Sequence, residues 1–243
     1  MCTVTFIPTP DGYRLGMNRD EQRTRAKGGF SDLRLKGLSV LGPSEPTGGM
    51  WTCANATSSA LALLNWYSKP VAPIKNPVSR GALVAALAGC RQSGETAKSQ
   101  LFKQPLNRIL PFRLIVVFGA EQSLREWRWD TEKVTFVDHS WSSRQWASSG
   151  YDEPAVQRSR QEVFERALSL EGAGEIEWLR SLHGSHEPTK GALSICMHRK
   201  EAATVSYTET DVDRERVRVR YCNGPLCESG WWQEREMKLE TLK

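Results

Sequence analysis

Met1-Cys2-Thr3-Val4-Thr5-Phe6-Ile7-Pro8 opens the chain, and Met17-Asn18-Arg19-Asp20-Glu21 closes the stretch that follows it. Apolar and threonine side chains alternate from Cys2 to Ile7, Pro8 to Gly12 supplies turn formers, and Tyr13 to Asn18 is extended again, so the two stretches read as one β-hairpin. With the turn centred near Asp11, paired residue numbers sum to about 22. That register sets Cys2 opposite Asp20, with Arg19 adjacent.

Methionine aminopeptidase removes Met1 when the next side chain is small, so Cys2 is expected to carry both a thiol and a free α-amine. Nucleophile and base then share one residue. Arg19 beside the thiol favours the reactive thiolate, and Asp20 can anchor the protonated amine. Acyl transfer also requires donors for the oxyanion, for which Asn55 and Asn65 are the candidates. Asn65 ends the apolar run Ala60-Leu61-Ala62-Leu63-Leu64, where an amide needs a hydrogen-bond partner.

The 33 basic and 28 acidic residues, net +5, are dispersed along 243 residues without a basic block, so nucleic-acid binding is not expected. No window approaches the ~18 apolar residues of a membrane span and no leader pattern precedes Cys2, so a cytoplasmic protein is expected. The six cysteines are read as free thiols rather than as a disulfide framework.

Further short strands are expected over 37–41, 50–55 and 60–67, then a helix from an N-cap at Ser79 to about Gly89 with Leu83, Val84 and Leu87 on one face. Strands follow over 113–118, 124–129 and 133–137. Pro154 sits at a helix start, Val156, Val163, Phe164, Ala167 and Leu168 form a stripe, and Gly172 ends it. A short helix covers 175–182, and His183 and His186 are expected in a solvated loop. Strands over 192–197, 204–208, 216–222 and 231–237 complete an α+β chain with largely antiparallel sheets, read as one domain over 1–243.

Cys196 and His198 share one side of an expected strand, and with Cys222 and Cys227 they suggest zinc. The spacing matches no standard ligand pair, so neither metal nor cofactor is expected; His198 is read instead as part of the pocket wall. Arg216, Arg218 and Arg220 share a strand face, either solvated or cradling an acyl-CoA head group.

Met1 to Pro8, Asn18 to Glu21, Gly48-Gly49-Met50-Trp51, Asn65, Ser79-Arg80-Gly81-Ala82-Leu83-Val84, Ser148-Ser149-Gly150 and Cys196-Met197-His198-Arg199 together resemble the NRDE family, also called transport-and-Golgi-organization-two-like. The resemblance implies an N-terminal nucleophile (Ntn) hydrolase-like αββα fold, two antiparallel sheets between helical layers. The resemblance does not by itself fix an activity; the reading taken from the residues is catalysis by Cys2, Arg19, Asp20, Asn55 and Asn65 on a linear amide or acyl substrate, with Asn18, Trp51, His198 and Arg199 in contact with that substrate. Related acylases carry Arg-Asn-x-Asp on the second strand, where this chain has Met17-Asn18-Arg19-Asp20. The transport-related branch supports a rival reading, a non-catalytic carrier of haem or acyl-CoA. A third reading is a chain whose Met1 is retained.

Overall fold

The computed structural model describes residues 2–26, 28–90, 94–228 and 230–240; the question of Met1 lies outside them. β1 (Cys2–Thr9) and β2 (Gly12–Gln22) form the expected hairpin. Pro10 and Asp11 alone make its turn, so Thr9 pairs with Gly12 and Cys2 pairs with Arg19. The expected register is therefore one residue off, and a one-residue slip exchanges faces. Arg19 shares the face of Cys2, and Asp20 points to the other side of the sheet.

β1 lies between β2 and β10 (Arg144–Ser148), and beyond β2 come β11 (Ala202–Val212), β12 (Arg216–Asn223) and β13 (Trp231–Lys238). A seven-stranded sheet holds, in chain order, β3 (Gly29–Leu35), β4 (Leu38–Ser44), β5 (Thr52–Asn55), β6 (Ser59–Asn65), β7 (Phe112–Phe118), β8 (Ser123–Trp129) and β9 (Val134–His139). Strand pairing within both sheets is antiparallel.

Alternation along β1 and β2 sends Val4, Phe6, Leu15 and Met17 against Ala60, Ala62, Leu64, Ile115 and Val117 of the facing sheet. On the outer face of the seven-stranded sheet, α1 (Arg80–Ala88) and α2 (Gly94–Phe102) pack Leu83, Val84, Leu87 and Leu101 over Leu61, Leu63, Leu114 and Val116. On the other outer face, α3 (Glu153–Leu168) and α4 (Ile176–Gly184) set Phe164, Trp178, Leu179 and Leu182 around Ile7. The result is the αββα sandwich, each buried large side chain worth about 1.5–3 kcal/mol. α4 can lie close on β2 because Gly16 has no side chain: a Cβ there would meet His183 Nε2 at 3.0 Å.

Several local signals translate directly. Ser79 caps α1 by accepting from the Gly81 amide at 3.2 Å, and Asp152 caps α3 by accepting from Ala155 at 3.0 Å. Residues 192–197 are not a strand. Their backbone is taken up by side chains instead: Asn18 Nδ2 donates to the Ile195 carbonyl at 3.0 Å and Ser194 Oγ to that of Cys196 at 2.7 Å. His183 is not solvated but fully buried in α4, its Nε2 3.0 Å from Thr5 Oγ1. Arg218 and Arg220 are engaged by carboxylates of this chain. They pair with Glu236 at 2.8 Å and with Glu209 at 2.9 Å, and Arg216 is shared between Asp213 and Glu236. No helix of the described residues is long and apolar enough to cross a membrane.

Candidate active site

Cys2 is 8% exposed and lies in a cleft of about 370 Å³ where the first hairpin meets the start of α1. Arg19 lies beside it on the same face, its guanidinium 4.3 Å over the Trp51 ring and 2.7 Å from Glu45 Oε1. Glu21 stands 3.6 Å from the same nitrogen, and Arg25 bonds Glu21 and Glu45, each at 2.7 Å. Two arginines and two glutamates thus neutralise one another along one wall. Arg19 is therefore a weaker activator of the thiol than its position suggests.

Burial pushes the Cys2 thiol up and the nearby charge of Asp20 adds to this; the Asp20 amide and the Arg19 guanidinium oppose it. Burial thus disfavours the thiolate, so attack calls for a base to take the proton. Among the described residues lining the cleft there is no histidine.

Across the cleft, Ser79, Arg80 and Gly81 bring in the N-terminus of α1 with the positive end of its dipole. The helix can approach because Gly81 meets Gly49: a Cβ on Gly81 would stand 3.1 Å from the Gly49 Cα and from the Met50 carbonyl. Met50 N–H in turn donates to the Gly81 carbonyl at 3.0 Å. Arg80 donates to the Pro111 carbonyl at 3.1 Å, and burial lowers its pKa. Asn65 lines the same cleft, its Nδ2 donating to Tyr67 Oη at 2.7 Å.

Asp20 lies behind the nucleophile, accepting from Thr204 Oγ1 at 2.7 Å and from Arg160 Nη1 at 3.2 Å, with the Arg160 side chain 1% exposed. Ser148 pairs with Cys2 from the β10 side, and its buried Oγ has no hydrogen-bond partner among the described residues.

A family model described as "Transport and Golgi organisation 2" matches residues 1–161. The chain belongs to that family. Among solved structures, this Transport and Golgi organisation 2 member is similar to a mutant of the conjugated bile acid hydrolase from Clostridium perfringens, with TM-score 0.58, 13% identity, and 98% of this chain and 92% of that one covered. It is also similar to the penicillin V acylase from Agrobacterium tumefaciens, with TM-score 0.52, 11% identity, and coverage of 96% and 85%. These likenesses establish the Ntn-hydrolase-like fold. Comparison with curated proteins returns no match.

The structure gathers Cys2, Arg19, Asp20, Trp51 and Asn65 around the cleft. The other named residues lie elsewhere. Asn55 is consumed by the β5–β6 turn: its Oδ1 accepts from the Thr57 amide at 3.0 Å, and its Nδ2 donates to the Ala88 carbonyl at 3.0 Å. Asn18 faces α4 and donates to the carbonyls of His183 and Ile195. Arg199 borders a neighbouring pocket that shares Asp20 and Glu21 with the cleft, its guanidinium 5.2 Å over Tyr151. His198 does not line the cleft but sits with His186, Cys196 and Cys227. Arg160 and Glu45 were passed over by sequence reasoning, and Arg80 and Ser148 were noted within motifs but given no role. For Arg80 a signal existed, since it follows the N-cap Ser79 and so begins the helix that ends in the cleft.

Proposed function

We propose that this protein is a cytoplasmic cysteine amidohydrolase of the N-terminal nucleophile type, acting on a linear amide or related acyl compound through Cys2 once Met1 is removed. The observation that carries this reading is a buried Cys2 thiol at the start of the first strand, in a cleft whose described lining residues include no imidazole. The α-amine of Cys2 itself supplies the missing base. It takes the thiol proton as sulfur attacks the carbonyl and returns it to the departing amine; water then hydrolyses the thioester.

Arg80 and Asn65 Nδ2 are assigned to the oxyanion. Arg19 and Trp51 form the wall beside the thiol, and Asp20, fixed by Thr204 and Arg160, positions the amine. Asn55 takes no part. The bile acid hydrolase mutant C2A alters a cysteine at the second position, which is the position of Cys2 here.

The test is turnover of a panel of N-acyl amides and penicillin V by protein whose mass confirms removal of Met1. Hydrolysis that disappears in Cys2→Ala supports the assignment. Absence of turnover, with haem or acyl-CoA bound equally by Cys2→Ala and the unaltered protein, assigns the cleft to a carrier instead.

A further inference from the structure

Four side chains from two separate segments converge away from the cleft. His186 follows α4, Cys196 and His198 lie in the segment leading to β11, and Cys227 lies between β12 and β13. One ligand atom from each lies within 4.8 Å of all the others. His198 Nε2 is 3.2 Å from His186 Nε2, 3.5 Å from Cys196 Sγ and 3.3 Å from Cys227 Sγ. The two sulfurs are 3.5 Å apart, and both cysteines are free thiols.

Hydrogen bonding does not account for this cluster. A neutral imidazole nitrogen offers one hydrogen or one lone pair in the ring plane, and here three polar atoms crowd the same nitrogen. A shared cation does account for it, because each atom then directs a lone pair at a common centre. A tetrahedron with Zn–S bonds of ~2.3 Å and Zn–N bonds of ~2.0–2.1 Å has S···S, S···N and N···N edges of roughly 3.8, 3.5 and 3.3 Å. The four distances given above lie within about 0.3 Å of those edges.

We propose that His186, Cys196, His198 and Cys227 form a Cys2His2 site for Zn2+. Two thiolates and two imidazoles in tetrahedral array suit Zn2+ over harder cations. With four protein ligands the coordination is closed, so the site is structural, with no position left for a reacting water. Binding releases two protons, one from each thiol.

The position of the site gives it a purpose. The connection from Ser185 to Glu201 has no regular secondary structure, yet it carries three of the four ligands and packs against β2. Met197, between two ligands, donates its amide to Thr204 Oγ1 at 2.8 Å, and that hydroxyl donates to Asp20 Oδ1 at 2.7 Å. The ion therefore clamps the backbone that holds the carboxylate behind Cys2. The inference does not depend on Cys2 being a nucleophile.

The test uses the full chain purified under reducing conditions without chelator. Elemental analysis is expected to give one Zn2+ per chain. Metal-free protein titrated with Co2+ should develop tetrahedral visible absorption and a sulfur-to-metal charge-transfer band, both abolished by added Zn2+. Cys227→Ser and His186→Gln should lower metal affinity more than ~10-fold, while Cys222→Ala, which alters a buried cysteine outside the cluster, should retain it. Sub-stoichiometric metal with no cobalt spectrum overturns the proposal. So does cobalt bound without the charge-transfer band, or a Cys196–Cys227 disulfide that persists under reductant.

Discussion

Replacing Arg160 by Met tests whether Asp20 is held as half of a buried ion pair. Arg160 Nη1 lies 3.2 Å from Asp20 Oδ2, and the two side chains are 1% and 0% exposed. Removing one partner from such a pair strands the other charge away from water, at a cost of about 3–5 kcal/mol. At ~2–4 °C per kcal/mol for a chain of this length, the melting temperature should fall by about 6–20 °C. The double variant Asp20→Asn/Arg160→Met removes both charges, and an amide oxygen can still accept from Thr204. It should therefore be more stable than either single variant, with a coupling energy of about 2 kcal/mol or more. Urea unfolding followed by tryptophan fluorescence measures all four proteins. A loss below about 1 kcal/mol in Arg160→Met, or strictly additive effects, would refute the ion-pair account. If Asp20 positions the Cys2 amine, the double variant regains stability without regaining hydrolysis.

Asn55→Ala removes the amide that closes the β5–β6 turn and ties it to the end of α1, so it should cost about 2–4 kcal/mol in urea unfolding. The alkylation rate of Cys2 should not change, because Asn55 does not reach the cleft. Burial, helped by the charge of Arg160, pushes His183 down to about 3 from its ordinary 6.5. As pH falls below 6.5 the unfolded chain takes up this proton first, so stability is full above that pH and declines toward pH 3. Between pH 7 and pH 5 this group removes about 2 kcal/mol, and His183→Asn should flatten that part of the stability profile relative to the unaltered protein. Arg80 lines the cleft with Cys2; if it supports the thiolate, Arg80→Met should move the pH midpoint for Cys2 alkylation by iodoacetamide upward. An unchanged midpoint would remove Arg80 from the site.

The hairpin that carries Cys2 was legible because its alternation and turn are local. Its register was not. A turn centre placed near Asp11 cannot distinguish a two-residue loop of Pro10 and Asp11 from a longer one, and that single step moves Asp20 from the face of Cys2 to the face of α3. The helix starts marked by Ser79 and Pro154 were readable because helix initiation is settled within about four residues. β3 escaped notice because its pattern, Gly-Phe-Ser-Asp-Leu-Arg-Leu, belongs to a partly exposed edge strand with little apolar alternation.

Side-chain partners from distant segments were the least visible. Asn55 looks like an oxyanion donor until the carbonyls of Ala88 and Cys90 are seen to occupy its amide. His183 and His186 are three residues apart in one polar stretch, yet one is sealed against β2 and the other joins the cysteines. Cys196, His198 and Cys227 were grouped from the sequence with Cys222, whereas the structure brings His186 to them in its place, a residue whose polar surroundings read as a solvated loop.

The central claim is that Cys2, as the first residue of the mature chain, is an acylating nucleophile. The most direct measurement is the intact mass of the protein after brief exposure to penicillin V, followed by peptide mapping. It is made on the processed form, on a form extended by one residue ahead of Cys2, and on Cys2→Ala. The account predicts one acyl adduct, mapped to Cys2 and present in the processed form alone. An adduct of equal yield in the extended form, or none in the processed form with penicillin V and N-acyl amides alike, would contradict it.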